Sequence, residues 1–400
     1  CLSKDIPSAK TVSSYFQNVF EERTGKSSKV GTCSSQINDN NEYQVQILYE
    51  QSITNEGYNL SVGNNGIIVK ASSVSGFFYA AESVDQLIDK DLAICYLNIN
   101  DRPRFPYRGL LLDVSRHFFD VPTIKLILSE MAHYKLNTFH WHLTDDQGWR
   151  LEIKKYPKLT EIGSKRAASP VIFNRSKLDD TPYGPYFYTQ EEVKDIIQYA
   201  KRLHIQVIPE IEMPGHPKAA LASYPQYSCT GGPFEPRCYW GIENEVYCAG
   251  SDDTIHFLED ILDETVDLFE SEFIHIGGDE CPKDRWKQCS KCQKRIKDNN
   301  LKDENELQSW FMKHFSDYLS KKGKRAICWD DVVNDKIISN NTVVMVWHDS
   351  SVVSQAIDEG HQVILSPVSH HYFDYAQNAK DPYEYIGGLN TLKKVYSYNP

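Results

Sequence analysis

Apolar and polar positions change rhythm once along the chain, near residue 105. Before it, Tyr43, Val45, Ile47 and Tyr49 alternate with polar neighbours, the two-residue period of a half-buried strand. Tyr58 to Val62 and Ile67 to Ala71 form two further runs, and Gly63-Asn64-Asn65-Gly66 between them predicts a hairpin. Phe77, Phe78, Ala80, Ala81, Val84, Leu87 and Ile88 then share one face of a helix. The proline-punctuated stretch Asp101-Arg102-Pro103-Arg104-Phe105-Pro106 reads as a linker, so residues 1–103 are expected to form a small α+β domain and 104–400 a second, larger one.

From Tyr107 onward, short runs rich in β-branched residues alternate with longer amphipathic stretches, the pattern of repeated βα units. The strand candidates are Gly109 to Val114, Thr138 to Leu143, Gln206 to Ile211, Phe273 to Ile276, Arg325 to Trp329, Val343 to Trp347 and Gln362 to Leu365. Between them, Ile124, Leu128 and Met131 line one helical face, and Thr189 with Glu192 predicts a capping box ahead of Val193, Ile196, Ile197 and Ala200. The expected fold is α/β: a (β/α)8 TIM barrel short of its eighth strand, preceded by the small α+β domain.

Composition narrows the partners. A chain of 400 residues with 40% hydrophobic and 24% charged residues buries a sizeable core and is neither disordered nor collagen-like. Its 43 Lys and Arg against 55 Asp and Glu leave a net charge of −12, and no basic run is dense enough to track a phosphate backbone, so nucleic acid is not an expected partner. No apolar stretch is long enough to span a bilayer. Asn59-Leu60-Ser61, Asn174-Arg175-Ser176 and Asn340-Asn341-Thr342 permit glycosylation, and Cys1 permits a lipid anchor of the bacterial lipoprotein kind. Both readings lie outside the cytoplasm: secreted, lysosomal or periplasmic. A homodimer is compatible with the sequence.

In a barrel of this kind, catalytic groups sit at the C-terminal ends of the strands. There the chain places Ser115-Arg116-His117, Thr144-Asp145-Asp146, Glu212-Met213-Pro214-Gly215-His216, Gly277-Gly278-Asp279-Glu280, Trp329-Asp330-Asp331, Trp347-His348-Asp349 and His370-His371-Tyr372-Phe373-Asp374. Solvent-facing ends alone would also collect Lys, Ser and Gly; these are dominated by Asp, Glu, His and Trp. Asp279-Glu280 is the sharpest element. Neighbours on a strand face opposite ways, so two adjacent carboxylates share a pocket only where the strand bends, and Gly277-Gly278 allows the bend. Packed together they should split into one protonated acid and one ionised partner, as glycoside hydrolysis requires.

Arg108 to His117 (RGLLLDVSRH), Phe139 to Trp149 (FHWHLTDDQGW), Pro214-Gly215-His216 and His275 to Glu280 (HIGGDE) together closely resemble glycoside hydrolase family 20, the β-N-acetylhexosaminidases, in the family's order. The resemblance covers most of the chain. It implies a retaining, substrate-assisted mechanism in which the acetamido carbonyl of a terminal β-linked GlcNAc or GalNAc attacks the anomeric carbon to give an oxazolinium. Carried over by the matching motifs, Glu280 is the acid and base, Asp279 accepts from the acetamido N–H, Tyr372 donates to the acetamido oxygen, and Asp145 with His216 forms a relay that tunes Glu280. Arg116 and Asp374 hold sugar hydroxyls, and Trp329 and Trp347 wall the acetamido methyl. No cofactor and no metal are expected.

The resemblance stops short in one place. The sequence ends before the eighth strand, where the family has a further Trp-Thr-Glu segment, so a barrel truncated before its last βα unit, prone to association or weakly active, is expected. Two other readings remain. His140 and His142, two apart on one strand and so on one face, suit a metal-dependent barrel hydrolase; a truncated homologue could also bind sugar without turning it over. Cys281, Cys289 and Cys292 prompt a metal reading, since Cys289 and Cys292 have zinc-knuckle spacing, but the partner pair is missing, so disulfides or free thiols are expected there rather than zinc, and Cys229 and Cys248, flanking a Gly-Pro-rich loop, are read as the favoured disulfide.

Overall fold

The chain divides into two units, each drawn from several segments. The computed structural model describes residues 1–3, 5–31, 45–64, 66–171, 174–333, 337–348, 350–380 and 387–400; Tyr43, Asn65 and Asp349 of the sequence patterns lie outside them. One unit comprises Cys1–Leu110, Lys125–Thr138 and Tyr199–Ile205, the other Leu111–Ile124, Phe139–Gln198 and Gln206–Pro400.

In the first unit, β1 (Val45–Tyr49), β2 (Tyr58–Gly63), β3 (Gly66–Ala71) and β4 (Leu97–Asp101) form a sheet in the order β1-β3-β2-β4. β2 and β3 make the expected hairpin, with Gly63 opposite Gly66. Helices α1 (Ala9–Thr24) and α2 (Val74–Leu87) pack on each other, and Ser73 caps α2 by accepting from the Gly76 N–H at 3.0 Å. Lys135 is bound between Tyr58, Ser83 and Asp101 at 2.7, 2.7 and 2.9 Å, which satisfies all three of its donors. α1 and β4 are additions to the sequence reading. Only Val12, Ser13 and Phe16 of α1 are buried, too narrow a stripe to stand out, and β4 is a five-residue strand carrying two asparagines.

The larger sheet realises every expected strand to within a residue of its end. β5 (Gly109–Asp113), β6 (Thr138–His142), β7 (Gln206–Glu210), β8 (Phe273–His275), β9 (Arg325–Trp329), β10 (Val343–Val346) and β11 (Gln362–Leu365) are hydrogen-bonded in chain order. From β7 to β11 neighbours pair in parallel, with registers such as Glu210 to His275 and Trp329 to Met345. From β6 to β10 both faces are covered, and those strands read as apolar runs: Ile208, Ile274, Ala326 and Val344 are at most 1% exposed, whereas β5 and β11 keep partly exposed residues. Among the described residues, β5 and β11 stand at the two ends of the seven-stranded sheet.

Helices α3 (Val121–His133), α4 (Gln190–Arg202), α5 (Asp252–Leu268), α6 (Glu304–Lys321) and α7 (Ser350–Asp358) fall between the strands. Ile124, Leu128 and Met131 are buried, as are Val193, Ile196, Ile197 and Ala200. The capping box before α4 is formed: the Thr189 N–H donates to Glu192 at 2.8 Å and the Glu192 N–H to Thr189 Oγ1 at 3.2 Å. At the strand ends Arg150 is wholly buried and donates to the carbonyls of Val114, Ser115, Ser164 and Tyr186, at 2.6 to 3.1 Å. It fastens the loops after β5 and β6 that carry site residues.

The cysteines correct one expectation. Cys229 and Cys248 form no disulfide; both carry free thiols, as do Cys289 and Cys292. Cys1 is disulfide-bonded, and a lipid thioether would have to form at that same sulfur. No helix of the described residues is long and apolar enough to cross a membrane.

Candidate active site

The turn after β8 sets the geometry. Gly277 and Gly278 have φ of 66° and 106°, conformations that cost a side-chain-bearing residue dearly, and a Cβ on Gly277 would strike the Glu212 carboxylate. The bend brings both following carboxylates to His216: Nε2 lies 3.5 Å from Asp279 Oδ2 and 3.4 Å from Glu280 Oε2. Glu280 and His216 are themselves left-handed, at φ 41° and 49°, the sparsely populated backbone that folds retain at functional sites.

His216 is a bridge. Its Nδ1 meets Asp146 Oδ2 at 3.0 Å and Asp145 Oδ1 at 3.4 Å. The sequence reading assigned this partner to Asp145; the shorter, hydrogen-bonded contact is to Asp146. Asp145 is instead held by Arg116 Nη2 at 2.7 Å and by His142 Nε2 at 2.9 Å. Burial disfavours the His216 imidazolium, but the Asp145 charge and the Asp146 hydrogen bond outweigh it and raise the pKa well above the ordinary value. Burial likewise opposes the Asp145 charge, and Arg116 overrides it, bringing that pKa down to about 2.

The carboxylate pair divides in the opposite sense to the expectation. Burial pushes Asp279 up to about 6 against the pull of His216, whereas the hydrogen bond from His216 holds Glu280 below the usual glutamate range. The Asp279 side chain is 19% exposed and that of Glu280 34%, so Asp279 bears the larger desolvation cost.

Beneath this pair lies a buried hub that sequence reasoning missed. Glu210 is fully buried at the end of β7 and takes His142 Nδ1 at 2.6 Å, His140 Nε2 at 2.8 Å, His275 Nδ1 at 3.0 Å and Trp329 Nε1 at 2.8 Å. Burial penalises its charge, yet His275, His142 and His140 hold its pKa well below the ordinary value. His142 contacts carboxylates through both ring nitrogens, the arrangement of an imidazolium; burial works against that charge, but Glu210 and Asp113 carry its pKa up to about 10. His140 and His142, the basis of the metal-hydrolase alternative, thus both face Glu210. The missed signal was an ionisable residue inside the apolar run Val207 to Ile211, which must find partners when buried.

Arg116 keeps part of its fork. Nη1 reaches Asp113 at 2.7 Å and Nε donates to Gln147 at 2.9 Å, yet the side chain is 31% exposed. Trp329 is buried on the hub. Trp347 is half-buried and joined to the carboxylate turn through Asp331, which accepts from Trp347 Nε1 at 2.9 Å and from the Glu280 N–H at 3.2 Å. Tyr372 stacks on Trp347 with ring centroids 6.4 Å apart; burial and then the charges of Asp279 and Asp374 keep its phenol protonated. Asp374 is exposed, and its charge is one of those that raise the Tyr372 pKa.

Comparison with known proteins gives a consistent set of likenesses. Residues 105–400 match the model of the glycosyl hydrolase family 20 catalytic domain, and residues 2–102 that of the family's domain 2. A beta-hexosaminidase of Porphyromonas gingivalis is 46% identical over 86% of the chain, and one of Vibrio furnissii 37% identical over 88%. The chain spans 44% and 59% of the lengths of these two relatives. Among solved structures, a beta-N-acetylhexosaminidase of Bacteroides fragilis superposes with TM-score 0.79 at 34% identity, over 96% of this chain and 74% of that one. An exo beta-N-acetylglucosaminidase of Vibrio harveyi, in complex with N-acetylglucosamine, gives 0.83 at 31%, over 100% and 62%.

Proposed function

The chain belongs to glycosyl hydrolase family 20, and from that premise we propose that it is a retaining β-N-acetylhexosaminidase acting on terminal β-linked GlcNAc or GalNAc. The observation that carries the reading is His216 bridging Asp145 and Asp146 on one side to Asp279 and Glu280 on the other. Two solved relatives that bind N-acetylglucosamine, from Vibrio harveyi and Streptomyces plicatus, support the sugar class.

In this mechanism the acetamido carbonyl oxygen of the substrate attacks C1 while Glu280 gives a proton to the leaving glycosidic oxygen. The C1–O bond breaks, and a cyclic oxazolinium forms with inversion at C1. Glu280, now a carboxylate, takes a proton from water, which opens the ring and inverts C1 again, so the configuration is retained. Asp279 as carboxylate accepts from the acetamido N–H and offsets the positive charge. Tyr372, protonated, donates to the acetamido oxygen; Trp329 and Trp347 offer apolar faces to the methyl; Arg116 and Asp374 serve the hydroxyls.

The protonation pattern suits this task better than a bare carboxylate pair would. Between pH 6 and the raised pKa of His216 the resting site holds an imidazolium beside two carboxylates. Moving that one proton 3.4 Å from His216 Nε2 to Glu280 yields a neutral acid next to ionised Asp279, with no proton drawn from solvent. An extracytoplasmic location belongs to the same reading, supported by the disulfide at Cys1.

The test is the substrate's own nucleophile. A chromogenic β-GlcNAc should be cleaved orders of magnitude faster than the β-glucoside with a hydroxyl at C2, because only the acetamido sugar reacts intramolecularly. Comparable rates on the two would overturn the mechanism.

A further inference from the structure

The thiols of Cys229, Cys248, Cys289 and Cys292 converge at one point. Their sulfurs all lie within 4.8 Å of one another, with separations of 3.7 Å for Cys229 to Cys292, 3.7 Å for Cys248 to Cys289 and 3.8 Å for Cys248 to Cys292. These are far longer than a disulfide, whose sulfurs stand about 2.05 Å apart. A tetrahedral zinc ion with Zn–S bonds of about 2.3 Å sets its sulfurs about 3.8 Å apart. We infer that these four cysteines bind one structural Zn²⁺.

The ligand set is assembled by two local devices. Cys229 and Cys248 follow Ser228 and Tyr247, which form an antiparallel bridge, and the Cys248 N–H donates to the Tyr227 carbonyl at 2.9 Å. This bridge is the second pair that sequence spacing could not reveal, because its members are separated by a loop. Cys289 and Cys292 sit at the N-cap and first turn of the helix Ser290–Asp298. Gly250 lets the two devices meet: a Cβ there would collide with the backbone of Lys291 and Cys292.

Chemistry favours the metal. Cys292 is fully buried and Cys248 is 1% exposed, with Cys229 and Cys289 half-buried, so the cluster is closed to solvent on one side and open enough on the other for an ion to enter. Four soft thiolates in tetrahedral array select zinc over the oxygen-seeking cations. Binding releases up to four thiol protons and leaves a site of net charge −2. The N-terminal end of the helix Ser290–Asp298, whose N-cap and first turn carry Cys289 and Cys292, offsets that charge.

The clamp joins two segments that border the catalytic turn. On one, the Tyr247 N–H donates to the Pro214 carbonyl at 3.1 Å, two residues before His216; on the other, Trp286 Nε1 donates to the Tyr247 carbonyl at 2.9 Å. Zinc in this position is structural, because all four ligand positions are filled by protein and none is left for water.

The full chain, purified without added metal or chelator, should carry one zinc per chain by elemental analysis, released when a mercurial reagent blocks the thiols. The Cys289→Ser/Cys292→Ser pair should reduce bound zinc to near zero, while Cys95→Ser, at an exposed free cysteine, should keep it. Should the double variant fail to fold, cobalt-substituted wild type decides: tetrahedral visible bands with thiolate-to-metal charge transfer in the near ultraviolet support the site. Absence of zinc, iron in its place, or mass-spectrometric detection of disulfides among the four cysteines would overturn it.

Discussion

At the scale of single residues, the site turns on which group holds each proton. His216 keeps its proton because Asp145 and Asp146 face one nitrogen and Asp279 and Glu280 the other. Two limbs in kcat/KM are therefore expected. Activity should fall below about pH 6, as Asp279 takes up a proton, and should hold on the alkaline side until His216 loses its own, well above its ordinary value of 6.5. His216→Gln removes the group that donates to Glu280, so the alkaline limb should move to lower pH and the rate on poor leaving groups should drop by about 10². An unmoved alkaline limb in this variant would show that His216 only shapes the pocket. Asp279-Glu280 was legible as a pair from sequence, but the order of their pKa values was not. That order depends on depth and on a histidine more than sixty residues upstream, neither of which a local pattern encodes.

Elements were the most legible scale. The five inner barrel-type strands, β6 to β10, were read from apolar runs because a sheet covered on both faces leaves no polar alternation to confuse the pattern, and β5 and β11 were read from their own short apolar runs. The box before α4 was visible as Thr189 and Glu192 three apart, and its hydrogen bonds are formed as that spacing demands. Thr189→Ala should thus cost about 1 kcal/mol of stability, seen as a lower denaturation midpoint, with hexosaminidase rates unchanged because the cap lies on a helix rather than at a strand end. A loss of activity without a shift in midpoint would contradict this division of labour. The narrow-striped α1 escaped because only three of its residues are buried, and β4 because its alternation, Leu97-Asn98-Ile99-Asn100, runs over only four positions.

For the molecule as a whole, buried titrating groups link the fold to pH. His142 and His216 have folded pKa values raised above 6.5, so the stability they contribute is complete below that value and is lost as pH climbs through the folded ones, about 10 for His142. His275, whose pKa burial lowers to about 4 against the pull of Glu210, acts in reverse: stability is lost as pH falls from 6.5 toward 4. Asp145 and Glu210 add to the acid side, since depressed carboxyl pKa values favour the fold until those groups protonate; Asp279 and Glu212, both raised, partly oppose them. Thermal midpoints should peak between about pH 6 and 7 and decline by pH 9, and a midpoint still rising from pH 7 to 9 would refute the assignment of His142 and His216 as imidazolium. The sequence alone determined the strand runs, the helix faces, the family motifs and the residue types at each strand end, because all of these are encoded within a dozen neighbouring positions. Tertiary structure alone decided that His216 leans on Asp146, that Glu210 collects three histidines and a tryptophan, and that four scattered cysteines meet. Each of those contacts joins segments tens of residues apart, and only the closing of the sheet and its loops brings them within hydrogen-bond or ligand distance.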